Sequence, residues 1–408
     1  MKPHSLFHSK LIFFLIALFF ISCIEQSIES ELDVNLKIDT LSINQLFLSS
    51  YTVAPNLATN NRLYLGKKNG IEVPLSFIKI GSSGYWSYYY DSTITIDSIQ
   101  FKLYFDDSSY SSESYPSLYF SPDSHFNENS STYLDFDEFS TMDWYNLGDP
   151  SVINNTDTNN AYTYSELIWE IDTLAQVLAD TAPNVTRTFV IKFDNNDSNF
   201  IEFFSEEASI EEKDPKVILF YRKTNIFTDD SVSIDTLSNS IYSSADLSIF
   251  DPRNSEHVSD KIGVSNGLGT RSLLNFSFSV DSIKQGSIIR KADLIIPIDS
   301  STITGSFNII IDPIVSDSLT NIDSTGIFAE DPYVGIGYPY RLSNESDSLH
   351  YIVSIKNILQ NIILGNRYNY GFKIVSDEKN DPFDSIWFLL NDSSNQPRVQ
   401  ITYVYNDE

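Results

Sequence analysis

The chain of 408 residues carries one cysteine, Cys23. A single thiol excludes an intramolecular disulfide, a CxxC redox pair and a cysteine-built zinc site. Histidine is also scarce, with five residues scattered from His4 to His350, so a histidine-based metal site is not expected. Lys and Arg number 26 against 55 Asp and Glu, and the formal net charge is −29. That balance excludes a nucleic-acid partner, which needs a basic footprint. It also excludes docking on anionic lipid through basic patches. Gly (15) and Met (2) are few. Beyond the first 22 residues no apolar run reaches the roughly 18 residues of a membrane span.

What remains is 41% hydrophobic, with 24 Tyr and 28 Phe set among Ser, Asp, Asn, Thr and Ile. That composition supports real cores and favours strands joined by polar turns over helices. The length favours two domains.

The N-terminus reads as an export signal. MKPHSLFHSK (1–10) holds Lys2 and Lys10 and no acid, and LIFFLIALFFI (11–21) is wholly apolar. The sequence Phe20-Ile21-Ser22-Cys23 resembles the lipobox of bacterial lipoproteins, with Phe20 where leucine is usual. The resemblance implies that Cys23 is diacylated and becomes the first mature residue, anchored stably by its acyl chains. Ile24 rather than Asp after the cysteine favours the outer membrane. Residues 1–22 are thus expected to be a signal peptide and 23–44 an acidic tether.

Strand-like alternation then recurs: 93–105, 186–193, 216–221, 273–280, 306–311 and 398–405. Asn/Asp/Ser clusters separate these runs. Two segments carry helical spacing instead, LIWEIDTLAQVLAD (167–180) and YIVSIKNILQNIILGN (351–366), the second closed by Gly365. The two helices mark an internal repeat: Ile171 matches Ile355, Gln176 matches Gln360, Pro215 matches Pro397 and Tyr221 matches Tyr403. The expected fold is all-β, with two tandem antiparallel, jelly-roll-like β-sandwich domains at 45–222 and 223–408. Each would carry one short amphipathic helix.

The second unit resembles extracellular β-sandwich modules of the DNRLRE type, related in shape to carbohydrate-binding modules. RSLLNFSF (271–278), KADLIIPI (291–298), VSIKNILQNIILG (353–365) and QPRVQITY (396–403) carry the likeness. The first unit keeps the helix and DPKVILFY (214–221) but has VPLSFIKI (73–80) where the arginine would stand. The resemblance implies a non-catalytic module of a surface or secreted protein.

Chemistry is sparse. No G-x-S-x-G exists, and GSSGYW (81–86) lacks the spacing of a nucleophile elbow. Among 55 acids a glycosidase-type carboxylate pair could hide, but no suggestive acidic motif recurs in both units. The Asn/Asp cluster with Asp194, Asn196 and Asp197 reads first as a turn, and secondarily as a set of oxygen ligands for a structural Ca2+. No other cofactor is expected. The run YWSYYYD (85–91) is the candidate binding surface, through Tyr85, Trp86, Tyr88, Tyr89 and Tyr90. The plainer reading is an edge strand packing its rings inward, because Tyr and Trp also favour strands.

Three functions follow, all for an exported protein held at the membrane by its lipid. A module for a glycan or protein ligand predicts exposed rings in a groove. A structural or assembly lipoprotein predicts an exposed apolar patch or free sheet edge. A hydrolase, the least favoured, predicts two carboxylates roughly 5–10 Å apart in a cleft.

Overall fold

The computed structural model describes residues 36–406, apart from 82–85, 112–113, 123–125, 137–143, 158–161, 180–185, 195–198, 209, 211, 230, 255–261, 280–281, 285, 300–305, 316–326, 338, 344–348 and 391–395. Cys23 lies outside these residues. Among the described residues the strands pair antiparallel, save one short parallel pair.

Two strands come first, β1 (Leu36–Ile43) and β2 (Leu46–Val53). Twelve follow: β3 (Arg62–Lys68), β4 (Ile71–Val73), β5 (Leu75–Ile80), β6 (Ile94–Ser111), β7 (Ser117–Ser121), β8 (Tyr145–Gly148), β9 (Ser151–Asp157), β10 (Tyr162–Glu170), β11 (Thr188–Lys192), β12 (Phe200–Phe204), β13 (Lys216–Ile226) and β14 (Val232–Ile249). Ten close the chain: β15 (Gly263–Ser265), β16 (Thr270–Phe276), β17 (Ile288–Pro297), β18 (Asn308–Pro313), β19 (Ile327–Phe328), β20 (Tyr340–Ser343), β21 (His350–Ser354), β22 (Phe372–Ser376), β23 (Ser385–Trp387) and β24 (Arg398–Asn406). The α-helices are α1 (Ala175–Ala179) and α2 (Lys356–Ile363).

Hydrogen bonding divides the strands into two assemblies. β3 to β14 form one twelve-stranded sheet. That sheet folds over on itself through β14, whose residues 232–242 pair with β13 and whose residues 243–249 pair with β5. Phe101 of β6 meets Phe189 of β11 across the resulting core, ring centroids 4.6 Å apart. The remaining strands form a second assembly of two sheets. One runs β1-β24-β17-β21, and the other has β19-β2-β16-β22-β18-β20 as its spine. Leu294, Val353 and Ile401 from the first sheet share one buried cluster with Leu274, Ile311 and Phe372 from the second.

The assemblies match strand for strand. The order β14-β13-β6-β10 corresponds to β1-β24-β17-β21, and β14-β5-β11-β7-β8 corresponds to β2-β16-β22-β18-β20. Even a β-bulge recurs. The ladder skips Asp97 opposite Phe220 and Tyr221, and skips Arg290 opposite Thr402 and Tyr403. The edge strands, however, are exchanged. β14 belongs to the second repeat in sequence but completes the first assembly. β1 precedes the first repeat and β2 opens it, yet both complete the second assembly.

This pairing crosses both expected limits. Leu36–Ile43 falls in the stretch expected to be a tether, yet all eight residues pair with β24. Its apolar Leu41 and Ile43 pack on the second core, and that burial outweighs the acidic surroundings. The helix expected over 167–180 is also shorter. Leu167, Ile168 and Trp169 lie in β10, buried and paired with β6, and a 3₁₀ turn (Asp172–Leu174) leads into α1. Cross-strand pairing of this branched and aromatic run overrides its helical spacing. Both helices nevertheless start alike. The Ile171 N–H donates to Ile99 O of β6, and the Ile355 N–H to Ala292 O of β17. Gly365, at φ +70°, ends α2 as its position suggests.

Candidate functional site

Of the five candidate rings, Tyr85 and the Tyr90 side chain lie outside the described residues. Ser87–Tyr90 is a 3₁₀ turn rather than an edge strand. Trp86 is 1% exposed and Tyr89 7% exposed, both in the first core beside Leu174 and Leu178. Arg187 holds the plug in place. Its Nε donates to Leu178 O at 2.6 Å, and its guanidinium lies 5.2 Å from the Trp86 ring centre. The Tyr89 hydroxyl accepts from Asn239 Nδ2 at 2.6 Å, and its ring packs edge-on against Tyr221 at 5.2 Å. Burial pushes the Tyr89 phenol above its ordinary pKa. Of the described rings Tyr88 alone is open, 45% exposed, with its hydroxyl accepting from Lys223 Nζ at 3.1 Å. The aromatic run therefore caps the space between α1 and the start of β6.

Among the described residues the matching space in the second assembly is open. A groove of about 1110 Å³ lies between α2 and the start of β17. Ile283, Ile288 and Ile289 form one wall, and Ile363 and Leu364 the other, with Lys284 and Lys356 also lining it. Ile288 is 64% and Leu364 62% exposed, far above the usual exposure of such side chains. The groove is shaped by Gln360, whose Oε1 accepts the Ile289 N–H at 2.8 Å, beside the bulge. On this side the linker before β17 buries Ile283 and supplies no tryptophan or tyrosine. An apolar trough beside two lysines suits a ligand with a flat apolar group and acidic flanks.

Asp194 is committed elsewhere. Hydrogen bonds from Tyr119 Oη at 2.6 Å and Ser117 Oγ at 2.7 Å hold its carboxyl below the ordinary range. Asn196 and Asp197 lie outside the described residues. The site that does gather carboxylates was not singled out by sequence. Glu128, Glu206 and Glu207 converge from two loops, each placing one oxygen within 4.8 Å of the others. No local spacing signals that convergence.

Where the assemblies meet, Phe383 packs on Tyr64 at 5.2 Å and on Phe200 at 4.9 Å. Lys68 bridges Glu202 at 3.1 Å and Asp381 at 3.0 Å. No protein-family model, curated protein or solved structure matches the chain.

Proposed function

We propose that the chain is an exported, non-catalytic envelope protein, anchored through lipidated Cys23, with the outer membrane as its favoured site. In this reading the two assemblies are sandwich domains in tandem. The second domain binds a protein ligand in the α2–β17 groove. The carrying observation is that the chain fills the equivalent groove of the first assembly with its own Trp86 and Tyr89. The occupant by analogy is a short aromatic segment of a partner protein, with acidic residues to meet Lys284 and Lys356. Burial of Trp86 and Tyr89 weighs against a glycan platform at 85–90. The likeness to DNRLRE-type modules agrees with a binding role.

The test uses a peptide copy of this plug, WSYYYDST (86–93), labelled and titrated into the full mature chain. Saturable binding that is lost in the Ile288→Arg/Leu364→Arg variant is expected. Equal binding to parent and variant overturns the groove. The anchor is tested apart, by Cys23→Ser: a variant that still fractionates with membranes after processing sinks the lipoprotein reading.

A second reading, an assembly lipoprotein, draws on one observation. The β13–β14 ribbon exposes Ile226, Phe227, Val232 and Ile234 around its hairpin. An Ile234→Asp variant that loses a partner still held by the groove variant would favour this reading.

A further inference from the structure

The carboxylates of Glu128, Glu206 and Glu207 converge beside Asp246, a residue of β14. Asp246 is 1% exposed. Its Oδ2 accepts the Glu206 N–H at 2.7 Å, and its own N–H donates to Glu128 Oε1 at 2.9 Å. Among the described residues its Oδ1 has no partner, and neither has the buried Oε2 of Glu207. Burial, then the charges of Glu207, Glu128 and Glu206, push the Asp246 carboxyl well above its ordinary range.

Glu128, Glu206 and Glu207 are half-buried or exposed, whereas Asp246 is buried with an unmatched oxygen, and that is costly. Each buried carboxylate must protonate, pair or ligate. We propose that Glu128, Glu206, Glu207 and Asp246 form a binding site for a hard divalent cation, Ca2+. The 4.8 Å limit on the glutamate oxygens fits ligands around one ion with bonds of roughly 2.3–2.6 Å. Several carboxylates in an all-oxygen set suit Ca2+, whereas Mg2+ keeps more of its water and Zn2+ seeks nitrogen or sulfur. The site is built rather than accidental. Asn56 Nδ2 clamps the Glu128 loop through Glu128 O at 2.9 Å and Ser131 O at 2.7 Å. Ser205 Oγ fixes the Glu206–Glu207 turn on Asn60 O at 2.8 Å. Bound there, the ion ties β14, the strand contributed by the second repeat, to two loops of the first assembly.

The experiment is calorimetric titration of Ca2+, then Mg2+, into the EDTA-treated mature chain at pH 7, with thermal melts alongside. Saturable Ca2+ binding with a dissociation constant on the order of 10⁻⁴–10⁻³ M or tighter is expected, with a rise in Tm. The Glu206→Gln/Glu207→Gln variant should bind Ca2+ at least about tenfold more weakly. Its melt in EDTA should match or exceed the parent's, because like charges have been removed. That control separates a lost ligand from a lost fold. Absence of binding at millimolar Ca2+ overturns the proposal. So does unchanged affinity in the variant, which would place the ion among other acids.

Discussion

Lys284 lies over the ring of Tyr405, 4.0 Å from its centre. At the matching place in the first assembly the partners are exchanged: Tyr88 stands on the linker and Lys223 on the closing strand, 5.4 Å apart. Tyr405 and Lys223 follow the paired Tyr403 and Tyr221 by two residues, so the cation and the ring have traded strands. The Lys284–Tyr405 pair contributes about 0.5–1 kcal/mol at a surface site. Lys284→Tyr and Tyr405→Lys should each lose about that much in urea denaturation. The double variant should recover most of it, giving a coupling energy of the same size.

Trp86 and Tyr88 are neighbours in sequence with opposite duties. Trp86→Ala should cost about 3–5 kcal/mol, because it empties a core site. Tyr88→Ala should cost about 1 kcal/mol or less, because the ring is largely open. Chemical denaturation of both variants checks the contrast, and equal losses would contradict the burial described.

Gly269 sits at φ +63° in the turn before β16, and its carbonyl accepts the Val53 N–H at 2.9 Å. A Cβ there would lie 1.9 Å from Val53 O. Gly269→Ala should destabilise by about 2 kcal/mol or more and loosen β2 from β16. Hydrogen exchange at Val53 should quicken, while exchange in β11 stays unchanged.

Asp331 gathers Arg271, Lys373 and Tyr51 on the outer face of the second assembly. Burial pushes its carboxyl up, but Arg271, the Tyr333 N–H and Lys373 outweigh that and hold it below its ordinary value of 3.8. A depressed native pKa gives stability that is complete above about pH 4–5 and is lost as pH falls through the native value. Asp331→Asn should lose about 2–3 kcal/mol at pH 7 and flatten the acid limb of the stability curve. Unfolding free energy measured from pH 2 to 7 in both proteins checks this.

Strand positions were legible wherever apolar and polar residues alternate, as in β6 and β24. The repeat was legible from Ile171 and Ile355, which prove to start both helical segments. The exchanged edges were not, although a signal was present. IDTLS occurs at 38–42 in β1 and again at 234–238 in β14. The same IDTL also stands at 171–174, where it runs into a 3₁₀ turn. Four identical residues thus adopt two conformations, and the available partner decides which. The groove was invisible for a related reason. Its walls are ordinary core-type residues, and only the shortage of rings on one linker leaves them uncovered. The acidic cluster depends on three segments distant in sequence.

The exchange of edge strands also sets an order of events. Tyr403 Oη donates to Asp39 across 364 residues of sequence, at 3.2 Å. β1 can find its place only when β24, the last strand, emerges, and β2 only once β16 is made, whereas β14 can dock on β13 through a hairpin as soon as both exist. The first assembly can therefore mature early, while β1 and β2 wait with their backbone groups unmatched. Any helper that meets the growing chain has its longest opportunity at residues 36–43.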